Sequence, residues 1–324
     1  MQMYISMKLL FVTSTRLGDA IISTGILNQL IEDNPNLRIT IACGPAAAPI
    51  FEKVPNLERV IVLDKMLFSL HWLRLWGLCI YSFWDLVIDL RNAPLTFLLF
   101  RKKRLGMGKS DKSRLFIENV SKVINLDQVA SPKIWPGEVD LKLAEELIPS
   151  NVPVLAIGPT ANWKAKTWRS EYFSELISRV TGSNGILENA HIAVFGRSDE
   201  RPMALVLMEK IPDGRCIDLV GKISLLSVYT CLSRCSLFVG NDSGLMHLAA
   251  ASGVPTVGLF GPTQESLYAP WGNNAMTVRT TVPFQNIFPD NFDHRASSSL
   301  MDSLTVDMVE ETIIKLWEKS ESRT

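Results

Sequence analysis

Leu237-Phe238-Val239-Gly240-Asn241-Asp242-Ser243-Gly244-Leu245-Met246-His247-Leu248-Ala249-Ala250-Ala251 is the stretch that decides the fold class. Three large apolar residues run into a polar glycine turn, small and apolar residues then continue at helical spacing, and Gly253-Val254-Pro255 ends the run. Strand, tight turn and helix in that order form the unit of a parallel α/β sheet, whose crossover helices bury both faces of the strands.

Working outward, the same grammar recurs along the chain. Apolar runs ending in turn residues lie at Leu9 to Thr13, Ile39 to Ala42, Val60 to Leu63 and Leu86 to Leu90, and again at Val154 to Ile157, His191 to Phe195 and Thr256 to Phe260. Helix-length segments separate them, so each half is expected to be a doubly wound α/β sheet. Between the halves Pro132, Pro136, Gly137, Pro149 and Pro153 interrupt regular structure around one short helical stretch, Val139 to Leu147. The expected division is therefore 1–150 and 151–324, and the last helix is a candidate to pack back on the first half.

The 324 residues leave room for two domains with a sizeable core. Lys plus Arg number 33 and Asp plus Glu 33, which argues against a general nucleic-acid-binding surface and leaves charged ligands to be met locally. Five cysteines without a Cys-x-x-Cys pair give no disulfide framework, in keeping with a cytoplasmic setting. The start has no signal-peptide pattern. The stretch Met66 to Leu90 is apolar, but His71, Arg74, Gly77, Ser82 and Asp85 break it before 18 uncharged residues accumulate.

In folds of this kind ligands gather outside the carboxyl ends of the strands. Asp242, Ser243 and Gly244 open a helix there, where free backbone N–H groups and the positive end of the helix dipole suit a diphosphate; the plainer reading is an ordinary N-cap. His247 lies one turn further on and is either a packing residue or a ligand contact. The run Gly158-Pro159-Thr160-Ala161-Asn162-Trp163-Lys164-Ala165-Lys166-Thr167-Trp168 follows another strand, and a lysine in it can neutralise a leaving phosphate; a solvated loop with structural tryptophans is the alternative. Ser14-Thr15-Arg16-Leu17-Gly18-Asp19 is a third strand exit, expected to precede a helix over Ala20 to Ile31. The Asp19 carboxylate there is either a cap or a general base. Arg101-Lys102-Lys103-Arg104, followed by Lys109, Lys112 and Arg114, reads as a charged loop, able to grip an acidic acceptor or anionic headgroups.

Other motifs fail. Gly108-Lys109-Ser110 lacks the leading glycine of a P-loop, which would fall at Lys103, and Gly106-Met107-Gly108 lacks the third glycine of a dinucleotide fingerprint. His71, His191, His247 and His294 have no metal-ligand spacing, and no metal is expected. Cys231 and Cys235, one helical turn apart, read as buried thiols.

Taken together these residues resemble glycosyltransferase family 9, the heptosyltransferases of lipopolysaccharide core assembly. The resemblance runs from Met7-Lys8-Leu9-Leu10-Phe11-Val12 and Leu17-Gly18-Asp19-Ala20 to Asp218-Leu219-Val220-Gly221-Lys222-Ile223-Ser224-Leu225. It continues through Asp242 to Ala251 and Gly253-Val254-Pro255-Thr256-Val257-Gly258-Leu259-Phe260-Gly261-Pro262-Thr263, and is loose over 64–150. It implies a GT-B-type fold, two Rossmann-like halves facing a central cleft, with the acceptor on the first and a nucleotide-sugar on the second. It implies an inverting transfer of a heptose or related sugar from ADP-heptose to a lipid-linked lipopolysaccharide or lipooligosaccharide core acceptor, without a metal or other cofactor. Asp19 matches the catalytic base and Lys166 the phosphate-contacting lysine. Gly18, Asn162, Asp242, Ser243, Gly244 and His247 fall at donor-binding positions, and Asp199 or Glu200 at that of the ribose carboxylate. Gly261-Pro262-Thr263 looks like a structural element beside the Asp242 turn.

Arg16 with Arg101, Lys102, Lys103 and Arg104 is the expected acceptor-binding set. A cytoplasmic enzyme in peripheral contact with the inner membrane is the expected setting, with no nucleic-acid partner. The alternatives are a non-catalytic nucleotide-sugar-binding protein and a nucleotide-sugar epimerase of the same architecture.

Overall fold

The computed structural model describes residues 6–289, 292–293 and 298–321; His294 lies outside these. The contacts divide the chain between Trp135 and Pro136. In the first unit the order is β1 (Lys8–Val12), α1 (Leu17–Asp33), β2 (Arg38–Cys43), β3 (Leu57–Val62), α2 (Leu70–Cys79), β4 (Trp84–Asp89), β5 (Arg101–Gly106) and α3 (Phe116–Ser121). Its strands form an all-parallel sheet in the order β3-β2-β1-β4-β5. The central strand β1, Lys8-Leu9-Leu10-Phe11-Val12, is fully buried from Leu9 onward, as a strand covered on both faces must be.

The second unit runs α4 (Glu138–Leu147), β6 (Val154–Gly158), α5 (Ser170–Thr181), β7 (His191–Val194), α6 (Arg201–Met208), β8 (Cys216–Asp218), α7 (Leu225–Ser233) and β9 (Leu237–Asn241). It continues with α8 (Gly244–Ser252), β10 (Thr256–Phe260), α9 (Glu265–Tyr268), β11 (Ala275–Arg279) and α10 (Val306–Glu321). The sheet order is β11-β10-β9-β6-β7-β8, again all parallel. Counted from its own first strand this is 6-5-4-1-2-3, the Rossmann order, and the first unit repeats its first five strands. Both sheets therefore have a topological switch point: between β1 and β4 in the first, between β6 and β9 in the second.

The division falls upstream of the expected position near 150, for a physical reason. Asp140 on α4 is 9% exposed; its carboxylate accepts from the hydroxyls of Ser224 (3.2 Å) and Ser227 (2.6 Å), while its backbone oxygen accepts from Thr230 (2.8 Å), all on or capping α7. These bonds tie α4 to the second unit and leave the break at Pro136. The last helix packs on the core of the second unit. Val309, Ile313 and Leu316 of α10 enter the core with Phe173 and Ile177 of α5, and Arg179 bridges to Asp307 at 2.6 Å and Glu310 at 2.9 Å.

Arg101 to Arg104 form no loop. They are the first residues of edge strand β5, paired with β4 from Trp84↔Arg101 to Asp89↔Gly106. Cys231 and Cys235 are both buried, as expected of structural thiols.

Candidate functional site

In the second unit the loops leaving β6 and β9, the two strands at the switch point, meet at one ion pair. Lys166 Nζ lies 2.7 Å from Asp242 Oδ2, and the side chains are only 18% and 7% exposed. The ammonium also approaches the Asp242 carbonyl oxygen at 3.4 Å. Two features hold it there. A 3-10 turn at Lys164–Lys166 shapes the loop. Asn241, the last residue of β9 and fully buried, accepts from the Trp168 N–H (3.0 Å) and donates to the Pro159 carbonyl (2.9 Å), fastening both ends of the loop that carries Lys166. Asn241 was missed in the sequence; a polar residue closing an apolar strand was its only signal.

The helix start beside this pair is open. Ser243 stands at the N-cap of α8 with extended backbone and makes no side-chain cap hydrogen bond, and the Asp242 carboxylate is turned to Lys166. The ordinary-cap reading of Asp242 and Ser243 thus does not hold. The first N–H groups of α8, with Gly244 leading, keep their capacity for an acceptor at the positive end of the helix. His247 is buried one turn in, at 7% exposure. Asn162 is exposed in the loop above.

Asp199 and Glu200 separate clearly. Asp199 is exposed and ion-paired with Arg197, which holds its carboxyl below the ordinary range. Glu200 is half-buried, and its Oε2 accepts from the Thr160 hydroxyl at 2.8 Å and the Arg197 N–H at 3.0 Å, joining the exits of β6 and β7. The turn Ser198–Glu200 rests against Gly221, whose φ of +69° and lack of a Cβ allow the approach; a Cβ there would lie 2.5 Å from Ser198 Cα. Near the exit of β10, Arg279 donates to the Gly261 carbonyl at 3.2 Å and pairs with Glu265, so Gly261-Pro262-Thr263 is braced from β11.

In the first unit, α1 begins at Leu17, three residues before the expected start. Arg16 is its N-cap residue, Gly18 its second residue and Asp19 its third. Asp19 Oδ2 accepts from the Ser14 hydroxyl at 3.1 Å, and Ser14 Oγ in turn accepts from the Arg16 N–H at 3.1 Å. The carboxylate is thereby fixed at the carboxyl end of β1, at the switch point, by a side chain and not by capping backbone. The exposed Arg16 stands three residues before it.

The cationic run is not brought to this place. Lys103 is level with Leu86 and Leu9, three residues before the ends of β4 and β1, and β5 is two strands from β1. Arg104 is spent on structure: its Nη2 lies 2.7 Å from Oδ2 of the fully buried Asp89, its Nε donates to Thr96 at 3.0 Å, and its guanidinium covers the Phe97 ring at 3.8 Å. Arg101 donates to the carbonyls of Phe97 (2.7 Å) and Leu99 (2.9 Å). Lys102 and Lys103 remain exposed.

Two Rossmann-like units with polar residues gathered at their switch points define a doubly wound α/β protein whose candidate ligand sites lie at the strand exits. The sequence model of glycosyltransferase family 9 (heptosyltransferase) matches residues 116–288, more than half of the chain. The chain belongs to that family and is a glycosyltransferase. It is 24% identical over 314 residues to lipooligosaccharide heptosyltransferase 2 of Haemophilus influenzae, a match covering 84% of this chain and 88% of that protein. The glycosyl transferase family 9 structure from Veillonella parvula is similar with a TM-score of 0.78, 20% identity and 98% of both chains covered. The structure of Escherichia coli ADP-heptose lps heptosyltransferase II gives 0.73, 20% identity, and 97% of this chain and 100% of that one. The fold is accordingly of the GT-B type. Among the described residues no helix is long and apolar enough to cross a membrane.

Proposed function

We propose that this chain transfers a heptose from ADP-heptose to a lipid-linked lipopolysaccharide or lipooligosaccharide core acceptor, with inversion at the anomeric carbon and without a metal ion. The observation that carries the reading is the Lys166 ammonium held by Asp242 at the uncapped start of α8. A cation and a row of free N–H groups at one strand exit are what a departing diphosphate requires, and preorganised charge of this kind does not have to reorganise during reaction. The names of the relatives support the sugar and the nucleotide.

In this reading Gly244, Ser243 and Lys166 receive the diphosphate, with Asn162 and His247 at its margin. The free oxygen of Glu200, not Asp199, meets the ribose hydroxyls. Asp19 takes the proton of the acceptor hydroxyl as it attacks the anomeric carbon from the side opposite the leaving nucleotide. A carboxylate is a weak base, so proton transfer comes late, when bond formation has made the hydroxyl acidic. Gly18, the residue before Asp19, is the one donor-side position carried by the first unit. Arg16 is the acceptor-side cation closest in sequence to Asp19, and Lys102 and Lys103 meet the acceptor's lipid surroundings at the cytoplasmic face of the inner membrane.

The test is incubation of the purified chain with ADP-heptose and a core acceptor, with and without a chelator, reading the product's anomeric configuration by NMR. An inverted, acceptor-dependent product formed in the chelator supports the reading. Donor conversion without acceptor would identify an epimerase, and binding without turnover a non-catalytic protein.

A further inference from the structure

Lys166 sits on a single 3-10 turn, Lys164–Lys166, too short a structure to hold itself, so what fixes its ammonium comes from elsewhere in the chain. Asn241 fastens the two ends of the loop. The turn itself is held by residues that follow β11. Ala165, wholly buried, accepts at its carbonyl from the Leu300 N–H at 2.9 Å, and the Thr167 carbonyl accepts from the Ser299 hydroxyl at 2.7 Å. Trp168 Nε1 donates to the Leu304 carbonyl at 2.8 Å, and Arg169 makes two bonds of 2.5 Å to Asp302. Ala165, Thr167, Trp168 and Arg169 are thus all bonded to residues 299–304, while the Lys166 side chain among them is turned to Asp242.

The other side of the turn has an aromatic anchor. Trp163 precedes it with extended backbone, and the Trp163 carbonyl accepts from the Lys166 N–H at 3.0 Å, so the indole and the lysine move as one turn. The indole stacks on Phe288 with 6.3 Å between centroids and 15° between planes, and meets Phe292 edge-on at 5.9 Å. Phe288 packs in turn on Phe292 at 5.1 Å and on Phe284 at 5.7 Å. These are the separations of favourable aromatic pairs.

The plainer account is that four rings gather to cover apolar surface. Two observations count against it. The rings are half-buried, and none is among the residues that form the core of Phe173, Val309 and Ile313. One of the four is also the residue that opens the Lys166 turn. A lysine is a point charge on a flexible four-carbon stem, so it is placed only as well as its backbone and its partner are held. Asp242 is the partner, and the rings hold the backbone.

We propose that Trp163 is a positioning residue: its packing on Phe288 and Phe292 sets the Lys166 turn, and through it the affinity for a nucleoside diphosphate. Phe292 and residues 299–304 lie beyond the stretch 116–288 that the family's sequence model matches. The inference rests on the reading that Lys166 meets the diphosphate.

The experiment is calorimetric titration of the full chain with ADP, in the unaltered protein and in single and double variants. Trp163→Ala and Phe288→Ala are each expected to weaken binding by about tenfold, less than the roughly hundredfold that a misplacement of an ångström reaches. Trp163→Phe keeps a stacking ring and should retain affinity to within about twofold. The deciding arm is the double variant Trp163→Ala, Lys166→Ala. A residue that acts through the lysine has nothing left to act on once the lysine is gone, so the double variant should bind ADP as Lys166→Ala does, to within about twofold. Phe288→Leu keeps apolar bulk but loses the ring, and a severalfold loss there keeps the test readable should an alanine variant fold poorly. Affinity unchanged in Trp163→Ala and Phe288→Leu, beside a loss in Lys166→Ala, overturns the inference and leaves the diphosphate reading standing. Additive losses in the double variant overturn it as well, because the indole would then act on the nucleotide directly or on the fold as a whole. Unchanged affinity in Lys166→Ala removes the reading and the inference together.

Discussion

Lys166 and Asp242 form a 2.7 Å ion pair that joins the exits of the two strands flanking the switch point of the second sheet. The pair does two things at once: it holds a cation at the mouth of α8, and it keeps the Asp242 carboxylate compensated in a place where it is 7% exposed. Lys166→Ala is therefore expected to weaken ADP binding by about 1–3 kcal/mol and also to lower the melting temperature, because Asp242 is left unpaired. The double variant Lys166→Ala, Asp242→Asn should recover melting temperature without recovering affinity. Calorimetric titration with ADP and thermal melts of both variants check this; unchanged affinity in Lys166→Ala removes the lysine from the site.

Gly221 offers a test at a distance from any ligand contact. Its φ of +69° and the 2.5 Å that a Cβ would leave to Ser198 Cα mean that alanine there must displace the turn bearing Glu200. Gly221→Ala is expected to cost about 1–3 kcal/mol of stability and to weaken ADP binding severalfold. Equal affinity in a destabilised variant would detach Glu200 from the nucleotide.

Acid should act through Asp218. Partial burial alone would raise its pKa, but hydrogen bonds and charge from Arg201 at 2.6 Å and Lys222 at 2.8 Å outweigh that and bring it from 3.8 down to about 2. A depressed carboxyl stabilises the fold fully above its unfolded value and loses that contribution as pH falls from about 4 through about 2. The contribution is on the order of 1–2 kcal/mol after screening of the half-exposed partners. Denaturant melts from pH 6 to 2.5 should show this slope in the native chain and a shallower one in Asp218→Asn.

The thiols should be inert in the folded protein. Burial raises Cys79 to about 11 and Cys43 and Cys231 to about 12, and pushes Cys235 and Cys216 upward as well. At pH 7.5 a disulfide reagent is expected to react promptly with at most the half-buried Cys216, and with all five cysteines once the chain is unfolded. Fast modification of two or more in the native state would contradict the packing.

How much of this was legible in the sequence follows from where each strand lies. The eight apolar runs all became strands, because most are interior strands covered on both faces. The strands that escaped notice, β5 (Arg-Lys-Lys-Arg-Leu-Gly), β8 (Cys-Ile-Asp) and β11 (Ala-Met-Thr-Val-Arg), are all sheet edges, where one side is free of neighbours and charge is tolerated. The strand exits bearing Lys166, Asp242 and Asp19 were visible as polar turns after apolar runs. Their common placement at switch points was not, since strand order depends on long-range pairing. Nor could spacing show that Arg104 would be consumed by Asp89, or that Asn241 would fasten the Lys166 loop, because both depend on contacts between residues far apart in the chain.

The central claim is that Asp19, held by Ser14 at the end of β1, takes the proton in a transfer whose leaving group is received at Lys166. Its most direct test is turnover of Asp19→Asn with ADP-heptose and a core acceptor, alongside calorimetric binding of ADP to the same variant. The account predicts turnover reduced by about 100-fold or more with ADP affinity unchanged. Turnover within a fewfold of the unaltered chain would contradict it.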